Sequence, residues 1–252
     1  MEMGILKNTF KMRRDVLVLY AFFSVILLLL CLVCQYIKAF FSTYPSISFM
    51  FLFVQLVSIG LIVAMWYIAV RQHQKTGVFE FYELGIKNSK TEETYFYHDI
   101  INYSFIPQTN KQAKALVFET DQHEQVILSA MLPPQAFELF QEDHTAVWKS
   151  FVQEELENGE MFSVDLYEDV TSFKMSLTPT QEHELVISKE GIVLHDVFYE
   201  WNTLNWYDVS WHGMLAIQTK EYKVIFLEPM TSISRYFLFI SILDEFLPSK
   251  VG

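Results

Sequence analysis

Seven histidines, two cysteines and thirty carboxylates are the side chains of this 252-residue sequence best able to do chemistry. The histidines are His73, His98, His123, His144, His183, His195 and His212. No two of them have the HExxH spacing that sets a pair of imidazoles on one helix face around zinc. His98-Asp99 and His195-Asp196 are adjacent pairs. Neighbours on a strand point to opposite faces, so neither pair is preset to share a proton, and the histidines read as surface residues. Cys31 and Cys34 form a CxxC, the spacing of redox or zinc chemistry. They lie in an uncharged apolar run, where cysteine is simply a small apolar side chain. Carboxylates gather at Glu154, Glu155 and Glu157, and again at Asp165, Glu168 and Asp169. The second group has oxygens for calcium but lacks the glycine and ligand spacing of an EF-hand loop. Both groups read as solvated acidic faces. GxxxxGK[ST], GxGxxG and GxSxG are absent, and eight glycines leave little for a phosphate-cradling loop. The sequence therefore predicts no enzyme, no metal and no cofactor.

A second kind of chemistry is recognition. Tyr199, Trp201, Trp206, Tyr207 and Trp211 crowd one short segment. In a continuous strand Tyr199, Trp201 and Trp211 share one parity and Trp206 the other. Part of the set then faces the core, and part is open to a partner, where such residues anchor interfaces. Trp201, Trp206, Tyr207 and Trp211 are the candidate contacts.

The elements that position these residues begin with two apolar runs, Val16–Ile37 and Ile47–Val70, neither carrying a formal charge. Each is long enough to cross a hydrocarbon core of about 30 Å. The connection 38–46 is short and holds Pro45, so the helices must pack antiparallel as a hairpin over 16–71. No small-residue cleavage site follows the first run, which argues against a signal peptide. Lys7, Lys11, Arg13, Arg14, Arg71 and Lys75 flank the outer ends, against Lys38 alone in the loop. The bias predicts a cell-membrane protein with both termini cytoplasmic and residues 1–15 as a cytoplasmic tail. Gln55 is the strongly polar side chain of the second run, a candidate for a hydrogen bond across the hairpin or for a contact between copies in a homo-oligomer.

Residues 72–252 carry 12 Lys/Arg against 28 Asp/Glu, whereas 1–71 have a net charge of +4. So acidic a body is repelled by nucleic acid and by anionic headgroups; the charge either serves solubility alone or receives a basic peptide or protein. Beyond Arg71 the pattern turns to short alternating strands: 78–82, 94–98, 101–106, 115–120 and 125–129, with a turn at 120–124. Pro133-Pro134 then opens a helix whose apolar positions are Phe137, Phe140, Val147, Trp148 and Phe151, closed by Asn158-Gly159. The order recurs. Lys189-Glu190-Gly191-Ile192 matches Glu83-Leu84-Gly85-Ile86, and Trp201-Asn202-Thr203-Leu204 matches Tyr97-His98-Asp99-Ile100. Met214–Ile217 matches Ala115–Phe118, and Lys223–Phe226 matches Gln125–Leu128. Residues 161–177 alternate again, 178–180 form a turn, 184–188 form a strand, and a last helix capped by Ser232 turns Ile233, Phe237, Ile240, Leu243 and Leu247 inward.

Strand, x-x-Gly-Ile, strand, [Tyr/Trp]-x-[Asp/Thr]-[Ile/Leu], hairpin, Pro, helix resembles the bacterial pleckstrin-homology-like (PH-like) domains. It looks most like the YcxB-like group, whose members often carry two N-terminal transmembrane helices. The resemblance covers 76–157 and again 161–248. It implies a membrane-anchored α+β protein: a transmembrane helical hairpin followed by two PH-like, partly open antiparallel β-barrels, each closed by a C-terminal helix. It also implies a non-enzymatic adaptor that presents these domains to a protein or peptide. The alternatives are an immunity factor against a cationic antimicrobial peptide and an accessory subunit of a membrane complex.

Overall fold

The structure, a computed structural model, describes residues 2–11, 14–40, 45–76, 78–109, 112–128, 132–168, 176–210 and 212–249. The chain begins with β1 (Leu6–Lys11), in the segment expected to be a tail. Two long helices follow, α1 (Arg14–Phe40) and α2 (Pro45–Thr76). They form one compact unit, and residues 1–11 with 78–252 form the other.

Within the hairpin, the buried side chains are small: Ser24, Cys34, Ser58 and Ala69. The large ones point away, Val18, Phe22, Leu32, Phe53 and Val63 each more than half exposed. Small residues let two helices approach closely where the surroundings are as apolar as leucine. Segments Leu17–Phe40 and Ser48–Val70 are long and apolar enough to cross a membrane.

The body continues with β2 (Val78–Tyr82), β3 (Gly85–Asn88) and β4 (Thr94–Phe96), then a 3-10 turn at Tyr97–Asp99. Next come β5 (Ile100–Thr109), β6 (Gln112–Thr120), β7 (Gln125–Leu128) and α3 (Pro134–Glu157). The second half runs β8 (Phe162–Tyr167), β9 (Pro179–Ile187), β10 (Gly191–Leu194) and β11 (Val197–Glu200), then a 3-10 turn at Trp201–Thr203. It ends with β12 (Leu204–Val209), β13 (Met214–Thr219), β14 (Val224–Pro229) and α4 (Tyr236–Phe246). Each half is thus a four-stranded antiparallel sheet, a three-stranded antiparallel sheet and a helix. The fold is α+β, and the four sheets form no closed barrel among the described residues.

The halves repeat in detail. Thr120 and Thr219 each open a turn closed by a backbone bond, Thr120 N donating to Glu124 O and Thr219 N to Lys223 O. The third turn residue has positive φ, His123 at 60° and Tyr222 at 63°. Asp121 N donates to Asp99 O, and Lys220 N to Thr203 O. Gly85 and Gly191 meet one constraint. A Cβ at Gly85 would lie 2.4 Å from Tyr95 O, and one at Gly191 2.2 Å from Tyr199 O, so only hydrogen fits where the strands press together.

In the first half the chain leaves the sheet after Lys11 and rejoins it at Val78, its register partner. β2 alternates as an amphipathic strand should, Phe79 and Phe81 inward and Val78, Glu80 and Tyr82 outward. Pro134 suits the first turn of α3, where no N–H is needed. Gly159, at φ 82°, ends that helix in the left-handed conformation. The inward stripe of α3 is Phe137, Phe140, His144, Val152 and Leu156; Phe151, expected inward, sits one residue off it and is 51% exposed. One core runs through both halves, with Tyr97, Tyr103, Phe118 and Phe140 fully buried in one and Ile192, Phe226, Phe239 and Ile242 in the other.

Other expectations need correction. Residues 178–180 make no turn: Pro179 starts β9 opposite Tyr167, a strand's first residue being one place where proline costs no ladder bond. Ser232 does not cap the last helix, because its hydroxyl donates to Pro229 O (2.8 Å). Arg235, at φ 50°, occupies the cap, and α4 starts at Tyr236.

Candidate functional site

Strand β11 lies at the end of its sheet and pairs only with β10 among the described strands, through four consecutive register pairs without a bulge. Val197 (49%) and Phe198 (50%) are exposed along it. Next to this edge lies an open groove of about 740 Å³, lined by Met161, Ser188, Glu190, Phe198, Glu200 and Trp201 among others. A smaller cleft of about 210 Å³, lined by Leu156, Glu157, Lys189, Glu245 and Phe246, shares Lys189 with it. The surround is acidic: Glu157, Glu190 and Glu200 against Lys189, while Glu245 is paired with Lys149 at 2.9 Å.

Trp201 is held firmly at this place. Its indole stacks on Phe246, centroids 4.5 Å apart and planes 7° from parallel, and its Nε1 donates to Ser188 O (3.1 Å). It is half-buried, in a 3-10 turn that interrupts the strand. The parity argument therefore does not carry from Tyr199 to Trp206. Tyr207 is buried, its hydroxyl donating to the Asp244 carboxylate. Burial first, then that carboxylate, pushes its phenol up to about 12. Trp206 is half-buried in β12, and Trp211 lies outside the described residues. Of the three candidates among the described residues, Trp201 alone lines the groove. Phe198, Glu190 and Glu200 join it there without having been singled out; a Val-Phe pair on a strand that ends its sheet was the available signal.

The other concentration of polar atoms is interior. His144, expected at the surface, is fully buried under α3. An i, i+4 stripe from Phe140 to Trp148 carries it inward, and its ring stacks on Phe140 at 5.6 Å. Its Nε2 lies 3.1 Å from Ile100 O, and burial holds its pKa down at about 3, so the ring is neutral and Nε2 donates. Asp143, also buried, accepts from Lys7 Nζ of β1 at 2.6 Å. Tyr97 Oη, Gln141 Nε2, Asp143 Oδ2 and His144 Nδ1 have no hydrogen-bond partner among the described residues. They are internal polar atoms, and their residues line neither the groove nor the smaller cleft.

His98 and Asp99 do meet, Nε2 to Oδ1 at 2.9 Å, because they lie in a 3-10 turn and not on a strand. Both are exposed, which leaves the pair a weak surface contact. His195 and Asp196, at φ 50° and 63°, form the tight turn between β10 and β11. Asp165 is in β8 and Glu168 just follows it, while Asp169 lies outside the described residues. Among the described residues no three His, Cys, Asp or Glu side chains gather as a metal site.

In the hairpin, Gln55 Nε2 donates to Cys31 O (3.0 Å) and to Gln35 Oε1 (3.0 Å), so it bonds across to α1. Trp66 Nε1 donates to Ser24 Oγ (2.9 Å) in the same way. These bonds satisfy polar groups that the hydrocarbon of a bilayer would leave unpaired.

Comparison with known proteins gives no significant match: no family model, no curated protein and no solved structure is similar to this chain.

Proposed function

We propose that this protein is a non-enzymatic adaptor, anchored in the cell membrane by the α1–α2 hairpin, whose body carries two PH-like modules that hold a protein partner. The observation that carries the reading is the pairing of β1 with β2 across the hairpin. Residues on either side of the hairpin join one sheet, so both its ends must lie on the same side of any bilayer, and it crosses an even number of times. The outward apolar side chains need lipid, since water would face a continuous apolar surface. Positive flanks at Lys7, Lys11, Arg13, Arg14, Arg71 and Lys75 favour a cytoplasmic body. The order of four strands, three strands and a closing helix, traced twice, supports the PH-like reading of each half.

Solubilisation in mild detergent and affinity purification of the full chain test it. A stoichiometric protein partner is expected; repeated recovery of the chain alone overturns the adaptor. Protease added outside intact cells should leave the body uncut, and digestion of the C-terminal half overturns the orientation. The acidic surround of the groove favours a second reading, immunity against a cationic antimicrobial peptide, for which loss of the gene should raise sensitivity to such a peptide.

A further inference from the structure

We infer that β11 receives a basic, extended segment of the partner protein as an added strand, with its side chains lying over the Trp201 groove. The inference rests on the adaptor reading and names the site and the partner's chemistry.

Three observations converge. First, β11 is an edge strand of regular register with two half-exposed apolar side chains. Proteins usually blunt such edges with lysine, proline or a bulge, and β11 has none of these. Edge strand β14 also exposes Val224 and Leu227, but a register break interrupts its pairing with β13. Second, the register gives Trp201 N to Glu190 O as a bonded pair, so Tyr199 and Val197 direct their backbone groups to β10. By alternation, the Phe198 N–H and C=O and the Glu200 N–H face the outer edge, where an incoming strand bonds, while Glu200 O already accepts from Thr203 Oγ1 at 2.7 Å. Third, the groove beside this edge joins an aromatic floor to carboxylates. Trp201, one face of which is covered by Phe246, and Phe198 line it together with Glu190 and Glu200, a combination suited to Lys or Arg side chains.

The same charges decide between occupants. A second copy adding its own β11 would carry a further Glu190 and Glu200 to an edge that is already acidic. An anionic lipid surface would meet the same repulsion. A basic strand meets neither.

The test uses the full chain in nanodiscs of uncharged lipid and a fluorescein-labelled eight-residue peptide of alternating Lys and Val. Saturable binding is expected, weakened about tenfold or more by the double variant Glu190→Lys/Glu200→Lys through lost steering and complementarity. N-methylation of alternate peptide nitrogens should abolish binding, because strand addition uses those donors. Tyr222→Ala, on the β13–β14 turn, should leave it unchanged. Equal binding by the charge-reversed protein, by an alternating Glu/Val peptide or by the N-methylated peptide overturns the inference. Glu190 and Glu200 are exposed, so the double variant should keep its melting profile and the comparison stands on a folded protein.

A photo-crosslinker at position 198 in cells gives the second arm. Adducts to a lysine- or arginine-rich segment of another protein support the site; adducts to a second copy or to lipid overturn it. If the co-purified partner crosslinks from other surfaces and never from 198, the groove falls and the adaptor stands. If no partner co-purifies, the adaptor falls, and the peptide titration still judges the groove.

Discussion

Tyr97 and Trp201 occupy the same place in the two halves, each opening a 3-10 turn between the four-stranded and three-stranded sheets. Tyr97 is fully buried, whereas Trp201 is only partly buried and lines a groove. The sheets do not explain this, since their strand orders are the same. The helices do. α3 has 24 residues and lays Phe140, His144 and Trp148 over the first turn, with Trp148 Nε1 donating to Tyr97 O at 2.8 Å. α4 has 11 residues and stacks its last residue, Phe246, on Trp201. Helix length decides whether one turn of chain becomes core or surface.

That contrast can be broken most forcefully at Phe140. Phe140→Ala should destabilise the body by about 3–5 kcal/mol, the usual cost of emptying a fully buried aromatic site. Phe246→Ala, at a partly buried position, should cost clearly less, and denaturant melts of both variants in one detergent would show the order. Equal losses would contradict the sealed-against-open distinction.

Acid should act through the sealed half. His144 is neutral when folded, its pKa down at about 3, while in the unfolded chain it returns to near 6.5. Between these values the unfolded state binds the extra proton, so this contribution is complete above pH 6.5 and is lost as pH falls. The slope is about 1.4 kcal/mol per pH unit. A pH series of melts should show it in the parent and flatten it in His144→Leu. The paired glycines come next: Gly85→Ala and Gly191→Ala should each cost about 1–3 kcal/mol, the range for forcing atoms into close-packed space. A large loss at one and none at the other would separate the two copies. Smallest is Trp201→Ala, where loss of a partly buried stack should cost about 1 kcal/mol, with its effect read instead in peptide affinity.

The hairpin, most strands and α3 were legible because their signals are local: uncharged runs, period-two alternation, Pro-Pro at one end and Asn-Gly at the other. The repeat was legible through glycines that answer one close approach. β1 was not, because Leu6–Lys11 has no pattern of its own; its burial is exposed throughout except at Phe10, and it is a strand only through β2. His144 was missed because it was read by residue type, although Phe140 and Trp148, four residues to either side, place it on the apolar stripe of α3. Trp201 was legible by composition, but the groove was not, since it is made by what α4 fails to cover. The helix start was hidden by Arg235, whose left-handed backbone is held from afar: its N–H donates to Tyr103 O at 3.0 Å, and its guanidinium lies over Phe162 at 4.8 Å.

Under the proposed topology, β1 leaves the ribosome before either arm of the hairpin and must wait, unpaired, until β2 follows. Should one arm fail to integrate, the two strands would end on opposite faces of the bilayer and the first sheet would stay incomplete, offering an open edge to proteases. Under that topology, completion of the first sheet would report that both arms had inserted, a check made by the protein on itself.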